Sequence, residues 1–96
     1  AIVMGAWQGI TSWQMTEAPK GAIYVWHSNV TIYPKKLAHH LDRDDLIIVG
    51  PGLFARGGWR GIRATDIVTD HQTQFSREET DGFFECVHYI KAHAMS

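Results

Sequence analysis

The chain contains three segments that read as strands, of which the first two are continuous apolar runs, and each stops abruptly at polar or turn-forming residues. Residues 22–26 form the first run, and residues 46–49 form the second. The third starts at residue 62 or 64, ends at residue 69 and is centred on Ile67 and Val68. Continuous apolar runs of this length are typical of strands buried on both faces of a parallel sheet. The three runs therefore predict a small, mainly parallel sheet at the centre of the fold.

The segments between these runs predict the connections that cover the sheet. Leu37 and Leu41 lie one helical turn apart behind Pro34, which suits a first helical position, so residues 34–41 predict a short amphipathic helix. A strand, a helix and a strand at this spacing form a βαβ unit with parallel strands and a right-handed crossover. Residues 53–61 are too rich in glycine for a long helix, and we expect a mobile loop there.

The last element has the clearest signals in the chain. Ser76 and Glu79 have the spacing of a capping box, in which each side chain accepts a hydrogen bond from the other residue's backbone N–H. Apolar residues then recur with the period of an amphipathic helix, which Gly82 is expected to weaken by about 1 kcal/mol relative to alanine. The recurring residues are Phe83, Val87, Ile90 and Ala94.

Residues 1–18 fit no regular element well, because glycines weaken both a strand and a helix here. A strand start near Ile2 and a short helix over residues 13–17 are the elements that this segment suggests. We expect Trp7 and Trp13 to cover one face of the sheet. The alternative is an exposed tryptophan-rich patch that docks a partner, since tryptophan is favoured at interfaces.

Together these elements predict one α/β domain over residues 1–96, in two or three layers, with a mainly parallel sheet of three or four strands and a C-terminal amphipathic helix. Hydrophobic residues make up 45% of the chain and charged residues 20%, which favours a globular domain over disorder. No apolar run approaches the ~20 residues that span a membrane, and no basic segment marks a signal peptide. The lone Cys86 excludes an intramolecular disulfide and a cysteine-based zinc site, so we expect a reducing, cytoplasmic setting.

Polar residues follow the predicted strands at the points where the strands end. In open α/β sheets, ligands bind outside the carboxyl ends of the parallel strands. Histidine, aspartate and serine side chains there can perform acid–base chemistry, bind a metal or hold a polar ligand, and ordinary strand-end turns are the alternative. The candidate ligand-binding residues are His27, Ser28, Asn29, Asp70 and His71.

Asp70 directly follows the third run, and an aspartate at such a strand end helps to hold Mg²⁺ in phosphate-handling ATPases. The phosphate-binding loop with glycines and a lysine that should follow the first strand is missing. A nucleotide hydrolase is therefore disfavoured.

A second candidate region is the glycine-rich segment 56–63, in which Arg56, Arg60 and Arg63 surround Trp59. Guanidinium groups and backbone N–H groups bind phosphate or carboxylate, and tryptophan can stack on a base. The segment predicts an anion-binding or partner-binding loop; the alternative is a solvated loop whose tryptophan packs into the core. A formal net charge of −1 argues against a general nucleic-acid binder.

The remaining histidines show no spacing typical of a metal site. His39 and His40 are adjacent, and His88 and His93 are not one helical turn apart. We therefore expect no metal and no cofactor, and we expect Cys86 to be a small core residue.

Residues 18–26, 33–38, 43–49 and 67–71 form a succession that resembles small uncharacterised α/β proteins encoded by bacteriophages. The resemblance covers residues 18–71 and rests on spacing, without a diagnostic catalytic motif. It implies a phage accessory protein that acts in the bacterial cytoplasm. Small proteins of this kind bind and alter a host protein or sequester a small molecule.

The leading hypothesis is a small non-enzymatic binding protein whose partner is a host protein or a small anionic ligand, because no complete catalytic or metal signature accompanies the well-patterned core. One alternative is a small hydrolase or transferase that uses His27, Asp70 and His71. Another is nucleic-acid binding through residues 56–63. The open edges of a small sheet also favour a homo-oligomer, and we expect no membrane partner.

Overall fold

The structure, a computed structural model, describes the backbone of residues 2–94 and the side chains of residues 9–93. The predicted α/β fold with a parallel sheet and a C-terminal helix is confirmed. In chain order the elements are helix α1 (Ile2–Glu17), strand β1 (Ile23–Val25), helix α2 (Ile32–His40), strand β2 (Ile47–Val49), helix α3 (Gly52–Ala55), strand β3 (Ile67–Thr69) and helix α4 (Arg77–Ala94).

The sheet has three strands in the order β2-β1-β3, and both neighbours of β1 run parallel to it. Ile23 pairs with Ile47 on one side and with Ile67 on the other. Every residue of β1 is fully buried, as expected for a central strand with apolar side chains on both faces.

Side chains of the first run alternate between two apolar clusters, one on each face of the sheet. Tyr24 and Trp26 pack with residues of α1 and α2, including Met15. Ile23 and Val25 pack with residues of α3, α4 and the loop between α3 and β3; these are Phe54, Trp59, Cys86 and Ile90. Helices therefore cover both faces. The chain crosses the sheet in opposite directions after β1 and after β2, so two right-handed crossovers require this arrangement.

The expectation for residues 1–18 was wrong in two respects. Residues 2–17 form one helix instead of a strand start and a short helix over residues 13–17. Thr11, Met15 and Ala18 are buried at i, i+4 and i+7, so one helical face packs on the sheet and outweighs the cost of the glycines. Trp13 is off that face and is 63% exposed, which contradicts its predicted packing against the sheet. The side chain of Trp7 lies outside the described residues.

Two connections also differ from expectation. Helix α2 begins at Ile32, so Pro34 occupies the third helical position and not the first. That position is still within the first turn, where backbone N–H groups have no intrahelical partner. Residues 52–55 form the short helix α3 within the segment that predicted a mobile loop, because the buried ring of Phe54 anchors it.

Helix α4 begins at the predicted capping box. The Ser76 N–H donates to Glu79 Oε1 at 2.8 Å, and the Glu79 N–H donates to Ser76 Oγ at 3.2 Å. A Cβ atom at Gly82 would collide with the backbone carbonyl of Phe54. The glycine that weakens the isolated helix is therefore what lets α4 approach α3 closely.

Arg43 and Asp45 join the end of α1 to the amino end of the sheet. The Arg43 guanidinium donates to the carbonyl oxygens of Thr16 at 3.0 Å and Ala18 at 2.9 Å, among others in this turn. These carbonyls lie at the helix end, where intrahelical donors run out. The Asp45 carboxylate accepts from the guanidinium at 3.0 Å and from the Gly21 N–H at 2.9 Å. These hydrogen bonds hold Asp45 ionised, and they lower its pKa below the usual range.

Candidate functional site at the carboxyl end of the sheet

The parallel sheet brings the ends of its three strands to one edge. The chain leaves β1 toward β2 and later returns across the sheet to β3, so the strand order reverses next to β1. In open α/β sheets this reversal marks the crevice where ligands bind. The polar residues that follow β1 and β3 are therefore placed at the position that the sequence analysis expected.

Asp70 is a buried carboxylate at the end of β3, with a side chain that is 0% exposed. Its Oδ1 atom accepts hydrogen bonds from the Tyr24 hydroxyl at 2.6 Å and from the Thr11 hydroxyl at 3.2 Å. Burial raises the pKa of Tyr24, and the adjacent carboxylate raises it further, so the phenol keeps the proton that it donates. Within residues 9–93, His71 is the only basic side chain at ion-pair distance from this carboxylate.

His71 is held against α1 by Gln14. The His71 backbone N–H donates to Gln14 Oε1 at 2.9 Å, and Gln14 Nε2 donates to the carbonyl of Thr69 at 3.2 Å. His71 Nδ1 lies 3.2 Å from Gln14 Oε1 and 3.5 Å from Asp70 Oδ2. Both oxygens are acceptors, so we infer that Nδ1 carries the ring proton. Sequence reasoning missed Thr11, Gln14 and Tyr24, because their separation from Asp70 along the chain gives no local signal.

The polar residues after β1 mainly shape their own loop. Ser28 Oγ accepts a hydrogen bond from the Val30 N–H at 3.1 Å, and Asn29 Oδ1 accepts one from the Gly52 N–H at 2.8 Å. A Cβ atom at Gly50 would lie 2.5 Å from the Asn29 side chain, so glycine is needed for this close approach. His27 is exposed, and its ring centroid lies 4.4 Å from that of Trp26.

Three apolar side chains at this edge face solvent, whereas the neighbouring Ser28 and Asn29 side chains accept backbone hydrogen bonds. Val30, Ile32 and Tyr33 are 69%, 65% and 53% exposed. Val30 lies in the loop after β1, and Ile32 and Tyr33 begin α2; we call these three residues the apolar loop. The Tyr33 ring packs against that of Trp26, with the centroids 5.9 Å apart. The available signal was a cluster of apolar residues where the loop after β1 enters α2, a place where turn chemistry favours polar residues.

The predicted arginine loop is divided between two cavities. Arg56, Trp59 and Arg60 line one of about 590 Å³, whereas Arg63 lines another of about 420 Å³. Trp59 is buried in the core, which leaves little ring surface for stacking on a base. Arg60 lies over that ring, and its Nη2 is 3.6 Å from Glu85 Oε2. The structure therefore does not join the four residues into one basic surface.

The other titratable groups have local structural environments. Cys86 is buried in the core, as expected, and burial raises the pKa of its thiol to about 11. His39 Nδ1 lies 3.0 Å from a carboxylate oxygen of Asp44 at the exposed end of α2.

Among the described residues, no group of three or more His, Cys, Asp or Glu side chains is arranged to hold a metal ion. None of the helices described here is both long enough and apolar enough to cross a membrane.

Comparison of the chain with models of protein families, with curated proteins and with solved structures finds no match. The resemblance to bacteriophage proteins stays a prediction.

Proposed function

We propose that the protein is a non-enzymatic binding protein that docks a protein partner on the apolar loop. The observation that carries this proposal is the exposure of Val30, Ile32 and Tyr33 within four consecutive residues. Exposed apolar side chains that cluster in this way mark interaction sites more often than those scattered singly. The bacteriophage resemblance makes the partner a protein of the bacterial host.

The hydrogen bonds around the apolar loop support binding rather than catalysis. The side-chain oxygens of Ser28 and Asn29 accept hydrogen bonds from backbone N–H groups, and Asp70 Oδ1 accepts hydrogen bonds from two hydroxyls. The hydrogen bonds of Ser28 and Asn29 hold the loop in place, and those to Asp70 Oδ1 attach the end of β3 to Tyr24 and Thr11. A rigid support lowers the entropy that a docking surface loses on binding.

Charge around the loop defines the chemistry of the partner. Residues 27–41 contain no aspartate or glutamate, and Lys35 and Lys36 are exposed in the first turns of α2. A complementary partner therefore presents an apolar pocket with carboxylates beside it. Tyr33 is the expected anchor, because aromatic residues dominate the energetics of interfaces.

Site-specific photo-crosslinking tests the position of the docking surface. A photoreactive phenylalanine analogue replaces Tyr33 in one variant and Phe84 in the control, which is an exposed aromatic residue on α4 across the sheet. In bacterial extract, position 33 should give a discrete crosslinked host protein that position 84 does not give. Crosslinking of the same proteins from both positions, or of a second copy of this chain from position 33, would contradict the proposal.

A small hydrolase or transferase that uses His27, Asp70 and His71 is the second candidate. One observation favours it: His71 Nδ1 faces Gln14 Oε1 and Asp70 Oδ2, the orientation that prepares an imidazole to act as a base through its other nitrogen. In that case Asp70 is a positioning residue. Turnover of ester or phosphoester substrates that His71→Gln abolishes and His40→Gln retains would favour this candidate; equal rates in both variants would exclude it.

A further inference from the structure

A cavity lies at the opposite end of the sheet from the apolar loop. Residues 62–64 precede β3, and together with the last turns of α4 they enclose the cavity of about 420 Å³. This volume is at the small end of the range for small-molecule sites, roughly 300–1,000 Å³. The cavity is therefore large enough for a compact organic molecule.

The lining of this cavity is mainly apolar, and a hydrogen bond fixes part of its wall. Ile62, Ala64 and Ile90 supply apolar surface, and Ile90 is almost fully buried. The rings of Tyr89 and His93 stack with their centroids 3.9 Å apart and offer an aromatic wall. His93 Nδ1 donates to the Tyr89 carbonyl at 2.7 Å, which fixes the orientation of the imidazole.

The charge of the lining points to an anion. Among the side chains of residues 9–93, Arg63 is the only one in the lining with a permanent charge, and none of the lining residues in that range is an aspartate or a glutamate. Within residues 9–93, Arg63 makes no hydrogen bond or ion pair, whereas Arg60 in the same segment pairs with Glu85. A guanidinium group without an internal partner can bind a carboxylate through two parallel hydrogen bonds.

We propose that this cavity binds a small aromatic carboxylate. The aromatic ring of the ligand packs on Ile62, Ala64 and Ile90, beside the aromatic wall. Its carboxylate pairs with Arg63 at the exposed rim. The site is separate from the apolar loop, so this proposal does not depend on the proposed docking function.

The test uses phenylacetate as the probe and the nearly isosteric, uncharged phenylacetamide as its control. Backbone amide chemical shifts of the full chain are followed by NMR during titration with each compound. Phenylacetate should cause saturable shifts at residues 62–64 and 89–93, with an affinity about tenfold higher than that of phenylacetamide, because a charge-assisted hydrogen bond contributes to binding.

Two arginine variants assign that difference to one side chain. Arg63→Gln should remove the preference for phenylacetate, whereas Arg56→Gln, in the other cavity, should retain it. Ala64→Leu should fill the cavity and weaken both compounds, with the dispersion of the spectrum showing that the fold is intact. Absence of saturable shifts, equal affinity for the two compounds in the native chain, or an equal effect of the two arginine variants would overturn the proposal.

Discussion

The two ends of the sheet each use a carboxylate to hold α1, but they do so with different partners. At the amino end, Asp45 pairs with the Arg43 guanidinium, which binds the last carbonyls of α1. At the carboxyl end, the buried Asp70 accepts hydrogen bonds from the hydroxyls of Thr11 and Tyr24. Asp45 is paired with a cation that is always charged, whereas Asp70 is held by two hydroxyls with His71 beside it.

This difference indicates how stability and function are divided between the two ends. A carboxylate paired with a guanidinium and a backbone N–H is a stabilising joint. A buried carboxylate held by hydroxyls carries a larger desolvation cost than one paired with a guanidinium. At the same end of the sheet, the side chains of the apolar loop are exposed to water. Features that cost stability are expected at functional sites. The amino end is therefore interpreted as the structural joint, and the carboxyl end as the functional one.

The largest stability effect is expected from Arg43→Ala. The change removes donors to several carbonyls at the end of α1 and leaves Asp45 without its cation, so the unfolding free energy should fall by about 3 kcal/mol. Urea denaturation measures this loss. Arg77→Ala, at the exposed start of α4, is the matched control and should stay within about 0.5 kcal/mol of the native chain. A loss below about 1 kcal/mol in Arg43→Ala would contradict the structural role assigned to the amino end of the sheet.

A smaller loss is expected from Tyr24→Phe at the carboxyl end. It deletes one of the two hydroxyls that donate to Asp70 Oδ1, and the unfolding free energy should fall by about 1–2 kcal/mol. Tyr33→Phe removes an exposed hydroxyl instead and should have almost no effect. Equal losses in the two variants would show that the buried hydrogen bond contributes little.

Acid should weaken the amino-end joint through Asp45. Its pKa is lower in the folded chain than the unfolded value of about 3.9, mainly because of the hydrogen bond from Arg43. The resulting stability is fully present above the unfolded pKa and is lost as the pH falls through the folded pKa. Denaturation curves from pH 6 downward should therefore be less pH-dependent in Asp45→Asn than in the native chain.

Arg43→Met provides the control for that pH series. It should flatten most of the acid dependence, because the bond from Arg43 is the largest cause of the low Asp45 pKa. Adding Asp45→Asn to it should remove only the smaller part that the Gly21 N–H contributes. Additive changes in slope would show that Asp45 gains its stability elsewhere.

The smallest stability effect is expected from the double variant Ile32→Ser/Tyr33→Ser in the apolar loop. Both side chains are more than half exposed, so the unfolding free energy should remain within about 0.5 kcal/mol of the native value. Thermal or urea denaturation measures it. A loss near that of Tyr24→Phe would mean that the loop contributes to the core.

The sheet was predictable because its signals are local. The apolar run around Tyr24 and the box formed by Ser76 and Glu79 each identify an element without distant contacts. Helix α1 was not predictable, since its stability comes from burying Met15 against a sheet that forms from later residues. The environment of Asp70 depends likewise on Thr11, fifty-nine residues away along the chain.

The most direct test of the division between the two ends is competition for the crosslink formed from position 33. An excess of unlabelled native chain should suppress the crosslink. The Ile32→Ser/Tyr33→Ser variant, at the same concentration and with native stability, should leave it intact. Suppression by that variant as strong as that by the native chain would contradict a docking role for the apolar loop.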